Sequence, residues 1–290
     1  MYLRTLLITG ALIVTAGLMH GQALAAGDAK RGEYLAKIAN CGGCHTEDRE
    51  GAVPFAGGRA VKTPFGTFFG PNITSDPEAG IGTWKEADFI RAMRFGIRPD
   101  GSPYFPSFPY TSFTKITESD LRDLWAFVHT IKPDKTKSKR HDIPFFFRWR
   151  LPLHIWQGMF FTRGPETPDP KLSYQAGRGE YLVKALGHCS ECHTPRNIFG
   201  APKKDRFLAG GMGPEGKKVP NITPARLKKW SDRDLTDYLT TGILPDGDVA
   251  NKTMGDVIRD STKWLKPSDL DAVVAYLRSV PPLPDESSRP

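Results

Sequence analysis

Two stretches of this sequence, RGEYLAKIANCGGCH at Arg31–His45 and RGEYLVKALGHCSECH at Arg178–His193, are versions of one unit. Both begin with the same five letters, and both end in two cysteines that are separated by two residues and followed at once by histidine. A unit that occurs twice in one chain predicts two related domains. With 290 residues, the chain is also long enough for about two domains of ordinary size.

The spacing of the cysteines is the one that attaches haem. Two thiols three positions apart on a helical turn can add to the two vinyl groups of one porphyrin, and the histidine that follows offers its imidazole to the iron. We therefore predict two covalently bound haem c groups. The predicted thioether residues are Cys41, Cys44, Cys189 and Cys192, and the predicted iron ligands are His45 and His193.

Other interpretations of the cysteine pairs explain less of the sequence. A zinc site with four thiolate ligands would use both pairs but would leave the histidines and the other repeated segments unexplained. A redox-active dithiol usually accompanies a βαβ pattern, which the sequence lacks. Two disulfides are common in an exported protein with four cysteines, but the spacing here argues against them.

Further repeated segments predict an all-α fold with long loops. SDLRDLWAFV, which begins at Ser119, is similar to SDLDAVVAYL, which begins at Ser268. Both segments place apolar residues at i, i+3, i+4 and i+7, the pattern of a helix with one buried face. Thr83–Glu86 has the pattern of a capping box, which predicts the start of a helix that ends at Gly96. No run alternates apolar and polar residues over the length of a strand.

The first 25 residues predict export. They contain one early arginine, an apolar run and an Ala-Leu-Ala ending, the pattern of a cleaved signal peptide. The apolar run is shorter than the roughly 20 residues that a membrane-spanning helix needs. We therefore expect a periplasmic protein. Its net charge of +8 suits acidic protein partners or anionic lipids, and export argues against nucleic acid as a partner.

The repeats divide the chain into ranges. We predict a signal peptide at 1–25, a first domain at 26–131, a linker at 132–172, a second domain at 173–281 and a tail at 282–290. Within the linker, the basic stretch 132–141 is expected to be solvated, and 143–161 is rich in aromatic residues. Charges and prolines exclude a membrane span for the aromatic part. Packing across the two domains is the expected arrangement, and docking on a partner or peripherally on a membrane is the alternative.

These residues resemble a known family, the dihaem class I c-type cytochromes, and in particular the cytochrome subunits of periplasmic quinoprotein alcohol and sugar-acid dehydrogenases. The resemblance rests on the paired RGEYL and CxxCH motifs, two PNIT segments, GIGTW at Gly80–Trp84, GHCSECHTPRN at Gly187–Asn197 and the aromatic linker. It covers nearly the whole chain after residue 25. It implies two tandem helical cytochrome c domains, in which Gly32 and Gly179 lie where the first and last helices cross, against Phe127 and Tyr276.

The resemblance also implies a function. Members of this family pass electrons one at a time and carry out no bond chemistry. We expect an electron carrier that is reduced by a periplasmic dehydrogenase or a similar donor and oxidised by an oxidase or a quinone-linked acceptor. The rival hypotheses are a haem enzyme, which transforms a small molecule such as peroxide at an open first haem, and a small-ligand sensor.

A second protein ligand for iron is expected in the second repeat but not in the first. Low-spin electron carriers usually complete the coordination with methionine, which raises the reduction potential. Met254 lies seven residues beyond Gly247, in a predicted loop between two helices, and we expect it to bind the second iron. The same count beyond Gly101 reaches Phe108, where the resembling cytochromes have methionine in a PxMPY segment. A phenyl ring has no lone pair to give iron.

The sixth ligand of the first iron therefore stays open. Candidate replacements from elsewhere in the chain are His129, His141, His154, Tyr104 and Tyr110, each of which also has an ordinary structural interpretation. Tyrosinate ligands are uncommon outside catalase-like sites, so the histidines are the stronger candidates. Of the remaining methionines, we expect Met93 and Met212 to serve in packing, and we assign Met159 to the linker.

The PNIT segments, Pro71–Thr74 and Pro220–Thr223, supply two further candidate residues. Asn72 and Asn221 have amide groups that can donate hydrogen bonds to carboxylates. We expect both asparagines to contact the haem propionates.

Overall fold

The structure is a computed structural model that describes residues 26–213 and 216–286, so the predicted signal peptide and the end of the predicted tail lie outside the described residues. The first repeat contains α1 (Ala29–Ile38), α2 (Cys41–His45), α3 (Glu86–Phe95), α4 (Tyr110–Phe113) and α5 (Glu118–Val128). The linker carries a 3₁₀ turn (Phe145–Arg148) and α6 (Leu151–Phe160). The second repeat contains α7 (Tyr174–Tyr181), α8 (Ser190–His193), α9 (Pro224–Leu227), α10 (Asp232–Thr241), α11 (Lys252–Asp260) and α12 (Pro267–Ser279), with 3₁₀ turns at Lys204–Arg206 and Thr262–Trp264.

The described chain is mainly helical, but it also contains two small antiparallel hairpins that the sequence did not predict. The strands are β1 (Ala60–Thr63), β2 (Gly66–Phe69), β3 (Gly211–Met212) and β4 (Lys218–Val219). β1 pairs with β2, and β3 pairs with β4. Strands of two to four residues are too short to produce a recognisable alternation of apolar and polar residues, so the pattern search could not find them.

The start of α3 also differs from the prediction. The helix begins at Glu86, and its N-cap residue is Lys85 instead of Thr83. The Asp88 carboxylate accepts a hydrogen bond from the Lys85 amide at 3.1 Å, so the acidic partner of the cap is also two residues later than predicted. The predicted end is confirmed, because Gly96 closes the helix in the left-handed conformation with φ 61°.

The predicted crossing of the first and last helices of each repeat is confirmed. A Cβ atom on Gly32 would lie 1.9 Å from the carbonyl oxygen of Asp123 and 2.8 Å from the Cβ of Phe127. In the second repeat, a Cβ on Gly179 would lie 2.7 Å from the Cβ of Tyr276. Only glycine allows helices to approach this closely, so each glycine permits the close contact of α1 with α5 or of α7 with α12.

The second repeat contains one residue more than the first between its RGEYL motif and its first cysteine. The structure absorbs this residue in a π-helical turn, Leu182–Leu186, which continues directly from α7. A π turn holds one extra residue per hydrogen-bonded ring without breaking the helix. The attachment motif of each repeat therefore follows its first helix closely despite the difference in length.

Both repeats contribute to one continuous hydrophobic core. Leu35, Leu121 and Leu124 from the first repeat belong to the same buried cluster as Leu182 and Leu277 from the second. A smaller cluster, which lies under the linker, is formed by Phe68, Phe105 and Ile143, with Leu153 of α6 packed against it. Because the main core is shared, the two repeats are held together by packing as well as by the linker.

Only one face of the linker packs across the two repeats. The expectation that residues 143–161 pack between the domains is therefore wrong for most of the side chains in that range. On the inner face of α6, Gln157 donates a hydrogen bond to the Phe95 carbonyl at 3.3 Å, and Trp156 donates one to the Phe199 carbonyl at 2.9 Å. The outer face is open: the side chains of Phe145 and Trp149 are both 78% exposed. No helix in the described residues is long and apolar enough to cross a bilayer.

Candidate haem sites

The four cysteines lie on or beside two short helices that follow the first helix of each repeat. Cys41 and Cys44 are on α2, while Cys189 is the N-cap residue of α8 and Cys192 lies within it. Within the described residues, no disulfide joins any of the four cysteines. Burial raises the pKa of the Cys41 and Cys189 thiols to about 12.

The two histidines of the motifs are oriented in the same way. The Nδ1 atom of His45 lies 2.7 Å from the carbonyl oxygen of Pro71, and the Nδ1 of His193 lies 2.8 Å from that of Pro220. A carbonyl oxygen only accepts hydrogen bonds, so Nδ1 carries the proton and Nε2 keeps its lone pair. Burial lowers the pKa of both imidazoles, which favours the neutral form that binds metal.

This donor set fits haem c. Each repeat supplies two thiols at the attachment spacing and one neutral imidazole whose Nε2 is available for iron. The hydrogen bond on the opposite ring nitrogen is the usual device that fixes the orientation of a metal-binding histidine. The zinc interpretation fails here, because no three His, Cys, Asp or Glu side chains converge around a common point within residues 26–213 and 216–286.

The PNIT asparagines make contacts other than the expected ones. The Asn72 amide donates to the carbonyls of Asp134 and Thr136, at 2.8 and 2.9 Å, and its oxygen accepts from Thr74. The Asn221 amide donates to the Leu283 carbonyl at 2.7 Å. In both repeats the asparagine thus ties the chain that follows the last helix to the PNIT segment. For Asn72, a bond to a propionate would compete with contacts that already use both amide hydrogens.

These contacts also change the expectation for two segments outside the repeats. The basic stretch 132–141 has mostly exposed side chains, as expected, but its backbone is bound by Asn72. The beginning of the predicted tail is held by Asn221 and by ion pairs from Lys203 and Arg206 to Glu286. Both segments are therefore attached to the repeat that precedes them.

Met254 lies in the first turn of α11, so the prediction that it is in a loop is wrong. The helix is capped by Asn251, whose side chain accepts a hydrogen bond from the Met254 amide at 3.0 Å. The segment from Gly247 to Ser268 is three residues longer than the segment from Gly101 to Ser119, and this helix is longer than α4. Asparagine is a common cap residue at the start of a helix, a signal that the sequence reading missed. The side chain of Met254 is half-buried.

Phe108 lies in an aromatic cluster just before α4. Its ring packs against those of Tyr104, Tyr110 and Phe113, with centroid distances of 5.2, 6.4 and 5.7 Å. Burial raises the pKa of Tyr110 to about 12, so this side chain is a neutral phenol. The cluster is apolar around Phe108, which is the environment expected of a packed ring rather than of a group that binds metal.

The histidine candidates for the first iron have other contacts. His129 is exposed at the end of α5 with its ring 4.1 Å from that of Trp125, and His154 is exposed on α6. His141 packs on Phe68, and its Nδ1 accepts a hydrogen bond from the Phe69 amide at 3.2 Å. In a neutral His141 the proton is then on Nε2, so neither ring nitrogen has a free lone pair in this arrangement.

The other methionines are placed as follows. Met93 is buried in the core of the first repeat, which confirms its predicted role in packing. Met212 is 61% exposed on β3, so the prediction that it packs is wrong. Met159 lies on the exposed face of α6, within the linker.

Contacts between the attachment motif of one repeat and the other repeat were missed by the sequence reading. The Glu191 carboxylate, inside the second CxxCH motif, accepts hydrogen bonds from the hydroxyls of Thr111 and Ser112 on α4, at 2.6 and 2.8 Å. On the other side, Arg59 of the first repeat pairs with Asp256 on α11 at 2.8 Å. Each repeat thus holds the segment that precedes the last helix of the other.

Two parts of the chain are similar to known cytochromes c. The cytochrome c family model matches the chain twice, over residues 29–132 and 176–281. A protein described as diheme cytochrome c-type from Cereibacter sphaeroides is 44% identical over 260 residues, which is 88% of this chain and 86% of that protein. The two matched ranges contain both CxxCH motifs.

Two dehydrogenase subunits are also similar. The cytochrome c subunit of alcohol dehydrogenase (quinone) from Gluconobacter oxydans is 36% identical over 287 residues, which is 95% of this chain and 59% of that subunit. The cytochrome subunit of fructose dehydrogenase from Gluconobacter japonicus is 40% identical over 257 residues, covering 87% and 52%. The chain therefore spans little more than half the length of these subunits.

Proposed function

Since the chain belongs to the cytochrome c family and has two of its domains, each with a covalently bound haem c, we propose that it transfers single electrons from a periplasmic dehydrogenase to a respiratory acceptor. The observation that carries this proposal is the repeated donor set. In each domain a histidine with a free Nε2 follows two thiols, and both domains share one core.

Haem c supplies a one-electron iron couple when it is bound. The chain's own residues do the remaining work. The thiols of the CxxCH motifs hold the group covalently, and the carbonyls of Pro71 and Pro220 fix the rings of His45 and His193 and increase their basicity. Because the hydrogen bonds that hold both histidines are already formed, little rearrangement of the chain would accompany a change in the charge of the iron. A small rearrangement favours rapid electron exchange.

The proposed donor is a dehydrogenase because of the relatives. Those from Gluconobacter are named as cytochrome subunits of alcohol and fructose dehydrogenases. The proposed acceptor is an oxidase or a quinone-linked protein, as in the family that the motifs resemble. A signal peptide at residues 1–25 would deliver the chain to the periplasm, where such partners meet it.

We also propose that the linker associates with the surface of an anionic membrane. Residues 132–163 contain eight Lys and Arg against two Asp, so this segment carries most of the net charge of +8. The outer face of the same segment exposes apolar side chains, among them Phe145, Trp149, Leu151, Ile155 and Met159. Exposed aromatic side chains together with positive charge are typical of segments that lie in the lipid interface.

Vesicle sedimentation tests this association. The protein should bind vesicles of phosphatidylglycerol, bind weakly to phosphatidylcholine, and lose affinity as salt is raised. A Phe145→Ala/Trp149→Ala variant should bind less, while Val249→Ala, which changes an exposed apolar residue in the second domain, should not. Equal sedimentation of the three proteins, or no binding to the anionic vesicles, would contradict the proposal.

A second candidate function follows from Phe108, which offers iron no ligand. If the first haem has an open side, it can bind a small molecule, and the protein is then a haem enzyme or a ligand sensor. The absorption spectrum of the oxidised protein with and without cyanide or imidazole shows whether the first haem has an open side. An iron that already has two protein ligands resists replacement of either one by the added molecule. Steady turnover of peroxide would favour the enzyme.

The main proposal is tested on the intact protein. Acid-acetone extraction followed by intact mass should leave two haems on the chain. A purified alcohol dehydrogenase with its substrate should then reduce both haems, one electron each, without turnover of peroxide. Release of haem, a mass that fits fewer than two, or absence of reduction by any quinoprotein dehydrogenase would count against an electron carrier.

A further inference from the structure

The repeated letters RGEYL and SDL are not explained by haem attachment. RGEYL places Arg31 and Tyr34 on α1, and SDL places Asp120 on α5. The second copies place Arg178 and Tyr181 on α7 and Asp269 on α12. In the structure these residues meet in two equivalent clusters at the contact between the domains.

Each cluster contains a hydrogen bond that crosses from one domain to the other. The Tyr34 hydroxyl donates to Oδ2 of Asp269 at 2.6 Å. The Tyr181 hydroxyl donates to Oδ2 of Asp120 at 2.7 Å. The same residue types therefore make the same bond in opposite directions, as they would across the axis of a symmetric dimer.

Each tyrosine hydroxyl also accepts a bond from the N-terminus of the helix that carries the aspartate. The amide of Lys266, the N-cap residue of α12, lies 3.2 Å from the Tyr34 hydroxyl. The amide of Thr117, the N-cap residue of α5, lies 3.2 Å from the Tyr181 hydroxyl. Both donor and acceptor functions of each phenol are thus used.

The aspartates are nearly buried and are shared between domains. Asp120 is 2% exposed and Asp269 is 7% exposed. Asp269 accepts hydrogen bonds from Nε and Nη2 of Arg178 at 2.8 and 2.9 Å, and Asp120 is paired with Arg31. Each carboxylate therefore receives an arginine from its own domain and a tyrosine from the other, so its hydrogen bonds are complete only when the domains are docked.

Each cluster includes a tyrosine on the helix that precedes a haem-attachment motif. Tyr34 lies on α1, which precedes α2 directly, and the carbonyl of Ile38 at the end of α1 accepts a hydrogen bond from Ser261 of the other domain at 2.8 Å. Tyr181 is the last residue of α7, and the π turn that follows it ends at Leu186, three residues before Cys189. A shift of either tyrosine would move the attachment motif that follows it.

We propose that these two clusters, which we call the domain latches, position the two haem sites relative to each other for electron transfer between the domains. Tyr34 and Tyr181 are the positioning residues, and the carboxylates of Asp269 and Asp120 are their hydrogen-bond acceptors. The proposal rests on the electron-carrier function and adds to it a transfer step within the chain.

The test uses the complete holoprotein with Tyr34→Phe, Tyr181→Phe and the double variant. Phenylalanine keeps the ring and removes only the hydroxyl, so the variants should fold. Loss of a hydrogen bond to a carboxylate should favour opening of the domain contact by about tenfold or more per latch. The matched control is Tyr238→Phe, because that ring packs on Trp230 and its hydroxyl makes no hydrogen bond within the described residues.

Two measurements report the relative position of the haems. One is the rate at which an electron placed on one haem by a light pulse equilibrates with the other. The second is the exciton signal in Soret circular dichroism, which depends on the angle and distance between the two porphyrins. We expect both to decrease in each single variant and most in the double variant, with the absorption spectrum of each haem unchanged.

The proposal is overturned if the variants show the rate and the exciton signal of the wild type, or if the wild type shows no electron exchange between its haems. Should the double variant fail to fold, the two single variants decide, since each retains one latch. Failure of the proposed function gives a different result, because the wild-type protein would then not be reduced by dehydrogenases. The electron-exchange rate and the exciton signal that test the latches need no partner protein.

Discussion

The ring of Phe113 packs edge-on against the ring of His188, the residue that immediately precedes the second attachment motif, with their centroids 5.4 Å apart. Phe113 belongs to α4, the helix that also binds Glu191 through Thr111 and Ser112. The segment that follows Phe108 is therefore held by the haem-attachment motif of the other domain. A substitution near one haem site can therefore affect the other, so the spectra and potentials of both haems need to be measured for each variant.

Replacement of Met254 by alanine should abolish the sulfur-to-iron charge-transfer band in the visible spectrum. It should also lower the potential of the second haem, because methionine ligation raises it. Redox titration with spectroscopy checks both effects. Met212→Ala is the control, since that side chain is exposed on β3 and should leave the band intact. A band that survives Met254→Ala would mean that another sulfur binds the iron.

Phe108→Met should supply the thioether that the first domain lacks. The two side chains have similar bulk, so the packing cost should stay below about 1.5 kcal/mol and the protein should fold. A second charge-transfer band and a higher potential of the first haem are expected. Phe113→Met places a thioether in the same aromatic cluster and should give neither effect. If Phe108→Met folds with both haems and an unchanged spectrum, the segment does not lie over the first iron or another ligand already holds it.

Gly179→Ala should destabilise the second domain by about 3 kcal/mol, the upper end for overpacking a core. Its Cβ would lie 1.8 Å from the Ala272 carbonyl oxygen, so α7 and α12 would have to separate. Gly177→Ala on the same helix is the matched control, because its Cβ meets no atom within 4 Å. The control should gain about 0.5–1 kcal/mol from helix propensity. Urea unfolding of the holoprotein measures both, and equal midpoints would refute the close crossing.

Acid should weaken the latch at Asp269. Burial alone would raise the pKa of this carboxyl, but hydrogen bonds from Arg178 and Tyr34, with the nearby charge of Lys266, lower it below its ordinary value. The folded state therefore favours the ionised form. Its contribution to stability is fully present above about pH 4, the pKa of an unfolded aspartate, and is lost as the pH falls through the folded pKa.

Asp269→Asn checks this dependence. At pH 7 the variant should be less stable by about 2 kcal/mol, since it loses hydrogen bonds to a charged carboxylate. Urea unfolding between pH 6 and pH 3 should show that the difference from the wild type shrinks as acid is added. Parallel stability curves over the whole range would show that Asp269 titrates alike in the folded and unfolded chains.

Much of the site could be read from local patterns. The CxxCH spacing places its thiols and imidazole within a few residues, so its chemistry does not depend on the rest of the fold. Gly96 ends its helix because glycine tolerates the left-handed conformation there. Met254 was placed in a loop in error, because its helix depends on an Asn251 cap that the apolar period does not reveal.

By itself, the sequence determined that there are two related helical domains, each with its haem-attachment motif. These features follow from chemistry between residues that are close along the chain or repeated in it. Only the tertiary structure decided that Tyr34 binds Asp269, that Asn221 binds the Leu283 carbonyl, and that Glu191 holds α4. Such partners lie tens to hundreds of residues apart, and buried polar groups find them only when the docking of the two domains excludes water.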